Sequence, residues 1–180
     1  MRKLVVTEFL TLDGVMENPA WSMPYWCDEI AAFKGAEQTA CDAFLLGRVT
    51  YEAFASVWPH RSNGDDPGAE AMNGYPKYVA SRTLKEVRWN NSHLITGDTT
   101  TSIQKLKELP GKDILVYGSG KLVNFLTEAG LVDQFNLLTY PMILGQGQRL
   151  FNAAPTVKLE LVEGKTTPTG VVSQIYKVIK

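Results

Sequence analysis

Two rhythms of apolar and polar positions alternate along the chain. Short continuous apolar runs, such as Ala43-Phe44-Leu45-Leu46 and Ile114-Leu115-Val116-Tyr117, read as buried strands. After each, apolar residues recur every three or four positions, as at Leu122, Val123, Phe125 and Leu126, which is the spacing of an amphipathic helix. Read in order, the pattern predicts strands at 4–12, 43–46, 77–80, 92–96, 114–117 and 131–139. It predicts helices at 25–39, 47–57, 102–109 and 120–129, with a short helical piece at 69–73. A loop at 58–68, rich in Gly, Pro, Asp and Asn, breaks the pattern and reads as mobile. Strands at 157–163 and 171–179, joined through 164–170, suit a hairpin. The expected fold is α/β in three layers. A mostly parallel central sheet carries helices on both faces and a C-terminal antiparallel hairpin at one edge.

Composition narrows the class. A chain of 180 residues suits one domain, taken here as 1–180, with a sizeable core. A net charge of −1 gives no global attraction to nucleic acid. Cys27 and Cys41 lack metal-ligand spacing and read as free thiols, which suits a reducing, cytoplasmic setting. The apolar run after Met1-Arg2-Lys3 is only strand-length, too short for a signal peptide or a membrane span. Neither a metal, a nucleic acid nor a membrane is expected as a partner.

The chemistry gathers where strands hand over to helices. Gly118-Ser119-Gly120 joins a strand to a helix, and Gly47-Arg48-Val49-Thr50 does the same earlier in the chain. Unpaired N–H groups at a helix start, backed by the helix dipole, suit an anion such as a pyrophosphate. A ligand-free tight turn is the alternative for each, because one short glycine motif is weak evidence. Arg48 and Thr50 add a cation and a hydroxyl. Ser81 and Arg82, at the end of another strand, could clamp a phosphate or simply form a surface turn. Asp13 follows the first strand, where α/β sheets usually place ligand chemistry, although Asp13-Gly14 also suits a turn. Glu29 lies four residues before Phe33, close to the expected buried stripe. Apolar surroundings there would raise its pKa toward proton donation. The bland alternative for Asp28 and Glu29 is a favourable place at a helix N-terminus.

The ordered set Thr11-Leu12-Asp13-Gly14-Val15, Gly47-Arg48-Val49-Thr50-Tyr51-Glu52, Ser81-Arg82-Thr83-Leu84, Val116-Tyr117-Gly118-Ser119-Gly120 and the run from Pro141 to Phe151 resembles the dihydrofolate reductase superfamily. It is more closely similar to the C-terminal reductase domain of bacterial riboflavin biosynthesis and its stand-alone bacterial relatives. The resemblance covers nearly the whole chain. It implies a dihydrofolate-reductase-like fold, NADPH as cofactor, hydride transfer to a small heterocycle of pterin or pyrimidine type, and a homodimer built through edge strands or the late helix. By position it implies that Gly47, Arg48 and Thr50 contact the pyrophosphate and 2′-phosphate. It makes Ser81 and Arg82 the adenosine-side clamp, and Gly118, Ser119, Gly120, Lys121 and Leu122 the second pyrophosphate loop. Asp13 and Tyr117 fall beside the nicotinamide, Glu29 where a pteridine-binding carboxylate lies, and Thr139 where a hydroxyl accompanies it. No counterpart of the folate-tail arginine is found, and no Cys/His zinc signature of a fused deaminase occurs in this sequence. The competing expectation is a nucleotide-binding protein of this fold without turnover.

Overall fold

A computed structural model of the chain describes residues 1–152 and 155–180. In chain order the elements are β1 (Leu4–Thr11), α1 (Asp28–Ala40), β2 (Cys41–Gly47), α2 (Arg48–Val57), α3 (Ala69–Gly74), β3 (Lys77–Ala80) and β4 (Ser92–Leu94). They continue with α4 (Thr99–Glu108), β5 (Asp113–Tyr117), α5 (Gly120–Glu128), β6 (Gln134–Tyr140), β7 (Leu159–Thr166) and β8 (Val172–Val178). The strands form one sheet in the order β4-β3-β2-β5-β1-β6-β8-β7. Pairing is parallel from β4 across to β6 and antiparallel from β6 through β8 to β7. The expected α/β architecture, with its terminal antiparallel hairpin, is the one observed.

Strand β5 lies between β2 and β1, so the chain returns to the middle of the sheet after building one side of it. Beyond the C-terminal ends of such strands, α/β proteins place their ligands. Successive side chains of a strand face opposite ways. Leu4, Val6, Leu10, Leu45, Val116 and Leu137 therefore pack with Ile103 of α4 and with Leu122, Val123 and Leu126 of α5. On the other face, Phe44, Leu46 and Leu115 pack with Tyr51 of α2, and Leu138 and Tyr140 with Ile30 of α1.

Several boundaries differ from the sequence reading, and those of α1 and α4 have a clear physical reason. Helix α1 starts at Asp28, not at 25, because Pro19–Tyr25 forms a tighter 3-10 segment that contains Pro24. Trp26 is consequently exposed instead of sharing the inner face. Helix α4 starts at Thr99, three residues early, because the Asp98 carboxylate accepts from the Thr101 N–H and caps the first turn. The 58–68 loop carries local hydrogen bonds of its own. Trp58–His60 is a 3-10 turn, and the Asp65 carboxylate accepts from the Ser62 N–H and hydroxyl.

At the opposite, N-terminal edge of the sheet, Lys107 of α4 is buried and donates to the Leu131 carbonyl at 2.7 Å and to Asp133 at 2.5 Å. Asp133 also accepts from the Leu4 N–H and from Lys180, which joins α4, β1 and the chain end. Desolvation pushes the Asp133 pKa up, but the bonds from Lys107, Lys180 and the Leu4 N–H outweigh it and hold it below the ordinary value. A depressed carboxyl pKa contributes stability that is present above the unfolded value of about 4 and is lost as pH falls through the folded one. Lys107→Met should therefore cost about 2–3 kcal/mol in urea unfolding at pH 7. The gap to wild type should shrink at pH 3. An unchanged gap at pH 3 would show that the Asp133 charge is not what Lys107 holds.

Candidate functional site

The ends of β3, β2, β5 and β1 lie next to one another along the C-terminal edge of the sheet. Gly47 pairs with Ala80, Leu45 with Val116, and Thr7 with Tyr117. Three chain segments singled out by sequence therefore emerge side by side: Ser81-Arg82, Gly47-Arg48, and Gly118-Ser119-Gly120-Lys121-Leu122. Helices α2 and α5 both begin at this edge, with their free N–H groups and positive dipole ends together.

The two starts are stitched to each other. The Ser119 hydroxyl accepts from the Gly47 N–H at 2.9 Å and donates to Thr50 Oγ1 at 3.0 Å. Ser119 and Thr50, expected as phosphate contacts, thus first serve each other. Ser119 holds φ 68° and Gly118 φ 50°, the left-handed region that glycine occupies without strain. A Cβ on Gly118 would also lie 3.1 Å from Thr50 Oγ1. One on Gly120 would lie 2.9 Å from Gln148 Nε2 and 3.2 Å from Met16 Sδ, so two flexible side chains rest over this turn.

Cations frame the edge. Arg48 bonds to Glu52 at 3.0 Å, an exposed pair four residues apart that costs little to break. Arg82 and Lys121 are exposed and form no ion pair among the described residues. Ser81 accepts from the Thr83 and Leu84 N–H groups, so it is a turn former before it can be a clamp. The glycine cradle, the paired helix starts and the surrounding cations fit the phosphates of a dinucleotide.

The candidate catalytic groups fare differently. Asp13 is a clasp. Its carboxylate accepts from the Thr11 hydroxyl at 2.6 Å and from the N–H groups of Leu144 and Gly145, and Arg149 Nε donates to its carbonyl at 2.8 Å. The Thr11 bond first, over an opposing desolvation effect, and then the two N–H groups bring its pKa down to about 2. A carboxyl that ionises so readily is no proton donor near neutral pH. The clasp closes the loop after β1 onto the loop after β6, and a cleft of about 380 Å³ lies beside it among Val15, Glu17, Trp21 and Leu144. Glu29 is exposed, without the apolar surroundings expected of it. Thr139 pairs with Leu10 on the α5 side of the sheet and donates to Gln174 at 3.0 Å, so it does not accompany α1.

Three polar residues on the sheet and α1 escaped the sequence reading. Glu8, in the middle of β1, is 4% exposed, and its Oε1 has no hydrogen-bond partner among the described residues. Burial pushes its pKa well above the ordinary carboxyl value, partly countered by Lys34. The raised acid sought on α1 is thus on β1. Its signal was available, because both faces of a central parallel strand are buried and a glutamate there must be buried too. Lys34 and Glu37, on the inner face of α1, form a largely buried ion pair at 2.5 Å.

This arrangement defines an α/β protein of the dihydrofolate-reductase-like fold with a candidate nucleotide edge. The chain belongs to the RibD C-terminal domain family, which it matches over residues 2–173. It is 31% identical to protein YyaP of Bacillus subtilis (strain 168), over 97% of this chain and 94% of that one. Among solved structures, a pyrimidine reductase-like protein from Corynebacterium diphtheriae is similar with TM-score 0.68 and 14% identity, over 99% of this chain and 92% of its own. The Saccharomyces cerevisiae riboflavin biosynthesis reductase Rib7 is similar with TM-score 0.62 and 15% identity, over 99% and 90%. At these identities the structural likeness shows the shared fold.

The Asp13 clasp yields a pH test. With a depressed pKa, its bonds are at full strength above about pH 4 and dissolve as pH falls toward 2. Carboxyl NMR should give Asp13 a midpoint near 2, with the Leu144 and Gly145 amide signals moving at the same pH. An ordinary midpoint near 4 would mean that the clasp does not form.

Proposed function

We propose that this chain is an NADPH-dependent reductase of a small heterocycle, of pterin or pyrimidine riboflavin-precursor type. The observation that carries the reading is the pair of helix starts at α2 and α5, brought together where β5 enters between β2 and β1. Two N-termini at one crevice are unfavourable neighbours unless an anion joins them. The fold shared with a yeast riboflavin biosynthesis reductase supports the same reading.

The residues have limited tasks. The N–H groups at the starts of α2 and α5 would hold the pyrophosphate, with Arg48 and Lys121 beside them. Arg82 and Ser81 would take the adenosine-side phosphate. Tyr117, one residue before the turn, would lie along the nicotinamide. The cofactor, when bound, supplies the hydride. Glu8 keeps its proton well above the usual carboxyl range, whereas Asp13 does not.

A second reading, nucleotide binding without turnover, draws on one specific observation. Neither acid expected from the sequence stands as a proton donor, since Asp13 is tied up and Glu29 is exposed. Stoichiometric NADPH binding with no oxidation across pterin, pyrimidine and quinoid compounds would favour it. We also propose a homodimer through the hairpin edge. All eight residues of β7 are exposed, and Leu161 and Val162 lie open on that edge strand. The cytosol suits the free Cys27 and Cys41, and no described helix is long and apolar enough to cross a membrane.

Calorimetric titration tests the cofactor assignment. NADPH should bind more tightly than NADH, and Arg48→Ala should weaken NADPH by about ten- to a hundredfold, the worth of a charged hydrogen bond to phosphate. Equal affinities for the two cofactors in wild type would overturn the 2′-phosphate assignment.

A further inference from the structure

A buried ammonium at the start of β3 has no place in the cofactor assignment. Lys77, the first residue of that strand, is 0% exposed. Its Nζ donates to the carbonyls of Met72, Asn73 and Tyr75 at 2.9, 3.0 and 2.8 Å, so all three of its N–H groups are engaged. It also lies 4.3 Å from the centre of the Trp89 ring. Among the described residues it forms no ion pair with a carboxylate. Trp89 is buried too, and its Nε1 donates to Asn73 Oδ1 at 2.9 Å. The N–H groups of Arg88 and Trp89 both donate to the Tyr51 hydroxyl of α2, at 2.9 and 3.0 Å. Lys77, Trp89 and Tyr51 thus tie together α3, the connection from β3 to β4, and the helix α2 that begins at the phosphate edge.

A buried charge without a counter-ion costs stability, and a methionine would fill the same space without that cost. What the ammonium adds is order. Residues 81–91 run from the end of β3 to the start of β4 in irregular backbone throughout. Parallel neighbours usually return through a helix, and an irregular return is held by its anchors. Leu84, Val87 and Trp89 pack in the cluster around Phe44 and Leu46 of β2, and Tyr51 and Lys77 hold the far end. The near end is Ser81-Arg82. Arg82 forms no ion pair among the described residues, so its place is set by this backbone. Gly47 pairs with Ala80, which puts that end beside the start of α2.

We propose that Lys77 and Tyr51 are the positioning residues of the adenosine-side clamp: acting through Trp89, they hold residues 81–91 against α2 and keep Arg82 beside Arg48. The proposal rests on the reductase reading of this edge. A neutral amine has two N–H groups for three carbonyls, so the anchor loosens when Lys77 loses its proton. Burial brings its pKa from 10.5 down to about 8. The charged groups on the surrounding elements are turned elsewhere. Glu70 of α3 bonds to Asn63, Glu52 of α2 to Arg48, Asp42 of β2 to Arg2, and Arg88 to Glu86 in solvent, while the exposed His93 of β4 stacks on Tyr78. The Cys41 thiol of β2, pushed up to about 12 by burial, and the raised Tyr75 phenol stay neutral at pH 9. Stability runs the opposite way. Between about 8 and 10.5 the unfolded chain holds the lysine proton that the folded one has lost, so the Lys77 contribution to stability rises with pH while the clamp loosens.

NADPH and NADH are titrated by calorimetry against wild type, Lys77→Met and Tyr51→Phe at pH 7 and 9, with circular dichroism to confirm folding. The ratio of the two affinities reads the clamp, because NADPH alone carries the 2′-phosphate, and that group is doubly ionised over most of this range, its second pKa being about 6. Wild type should lose about five- to tenfold of its NADPH preference between pH 7 and 9. Lys77→Met should show that loss already at pH 7 and no further change at pH 9, and Tyr51→Phe should show it at pH 7. A pH-independent preference in wild type, or a full preference in either folded variant, overturns the proposal. If a variant does not fold, the wild-type pH profile decides. Carbon-detected NMR of the ligand-free protein separates the proposal from the reductase reading. The carbonyl carbons of Met72, Asn73 and Tyr75 should titrate near pH 8 together with those of Arg82 and Trp89, and in Lys77→Met that titration should vanish. If it is seen while NADPH does not bind, or binds no better than NADH, the anchor stands and the NADPH reading falls. If Arg82 does not follow the three carbonyls, the proposal falls whatever the cofactor does.

Discussion

Everything at the candidate site depends on the parallel pairing of β2 with β5. That pairing brings two helix N-termini, each with unpaired N–H groups, to the same few ångströms of sheet edge. Their dipoles repel one another, and Arg48 and Lys121 add like charge. The sheet overrides this because the core strands are buried on both faces, and Ser119 bridges the two turns through Gly47 and Thr50. The result is a fixed electropositive crevice whose backbone geometry is set before any ligand arrives, which is the property a phosphate site needs.

On the other side of that crevice, α1 and β1 carry charge into the interior. A buried ion pair repays its desolvation only when its remaining hydrogen-bonding capacity is filled. Glu37 meets that condition through Thr7 and Asn136, and Lys34 meets it in part, with aromatic faces taking up the rest. Tyr117 sits between the two halves of the site. Burial first, and then the charge of Glu37, keep its phenol neutral well above the ordinary range. The paired helix starts and the Lys34–Glu37 pair thus meet at one residue of β5.

The sequence disclosed what is local. Strand, glycine and helix follow one another within a few residues at Gly47 and Gly118, so the order of elements and the crowded edge could be read from spacing alone. The side-chain roles failed where they depend on distant partners or on parity. Asp13 looks like a cleft acid until Leu144, Gly145 and Arg149, more than 130 positions away, are seen closing on it. Thr139 was placed one residue out of phase, and in a strand one residue is the opposite face. Glu29 was turned inward by its four-residue step to Phe33, which is itself only half-buried. The helix begins at Asp28, and its inner stripe is Ile30, Lys34 and Glu37.

Backbone amide mapping tests the central claim most directly. Adding NADPH to the ¹⁵N-labelled protein should shift the amide signals of Arg48, Val49 and Thr50 together with those of Gly120, Lys121 and Leu122, because both helix starts hold one pyrophosphate. Shifts confined to one of the two turns, or gathered elsewhere on the molecule, would contradict the account.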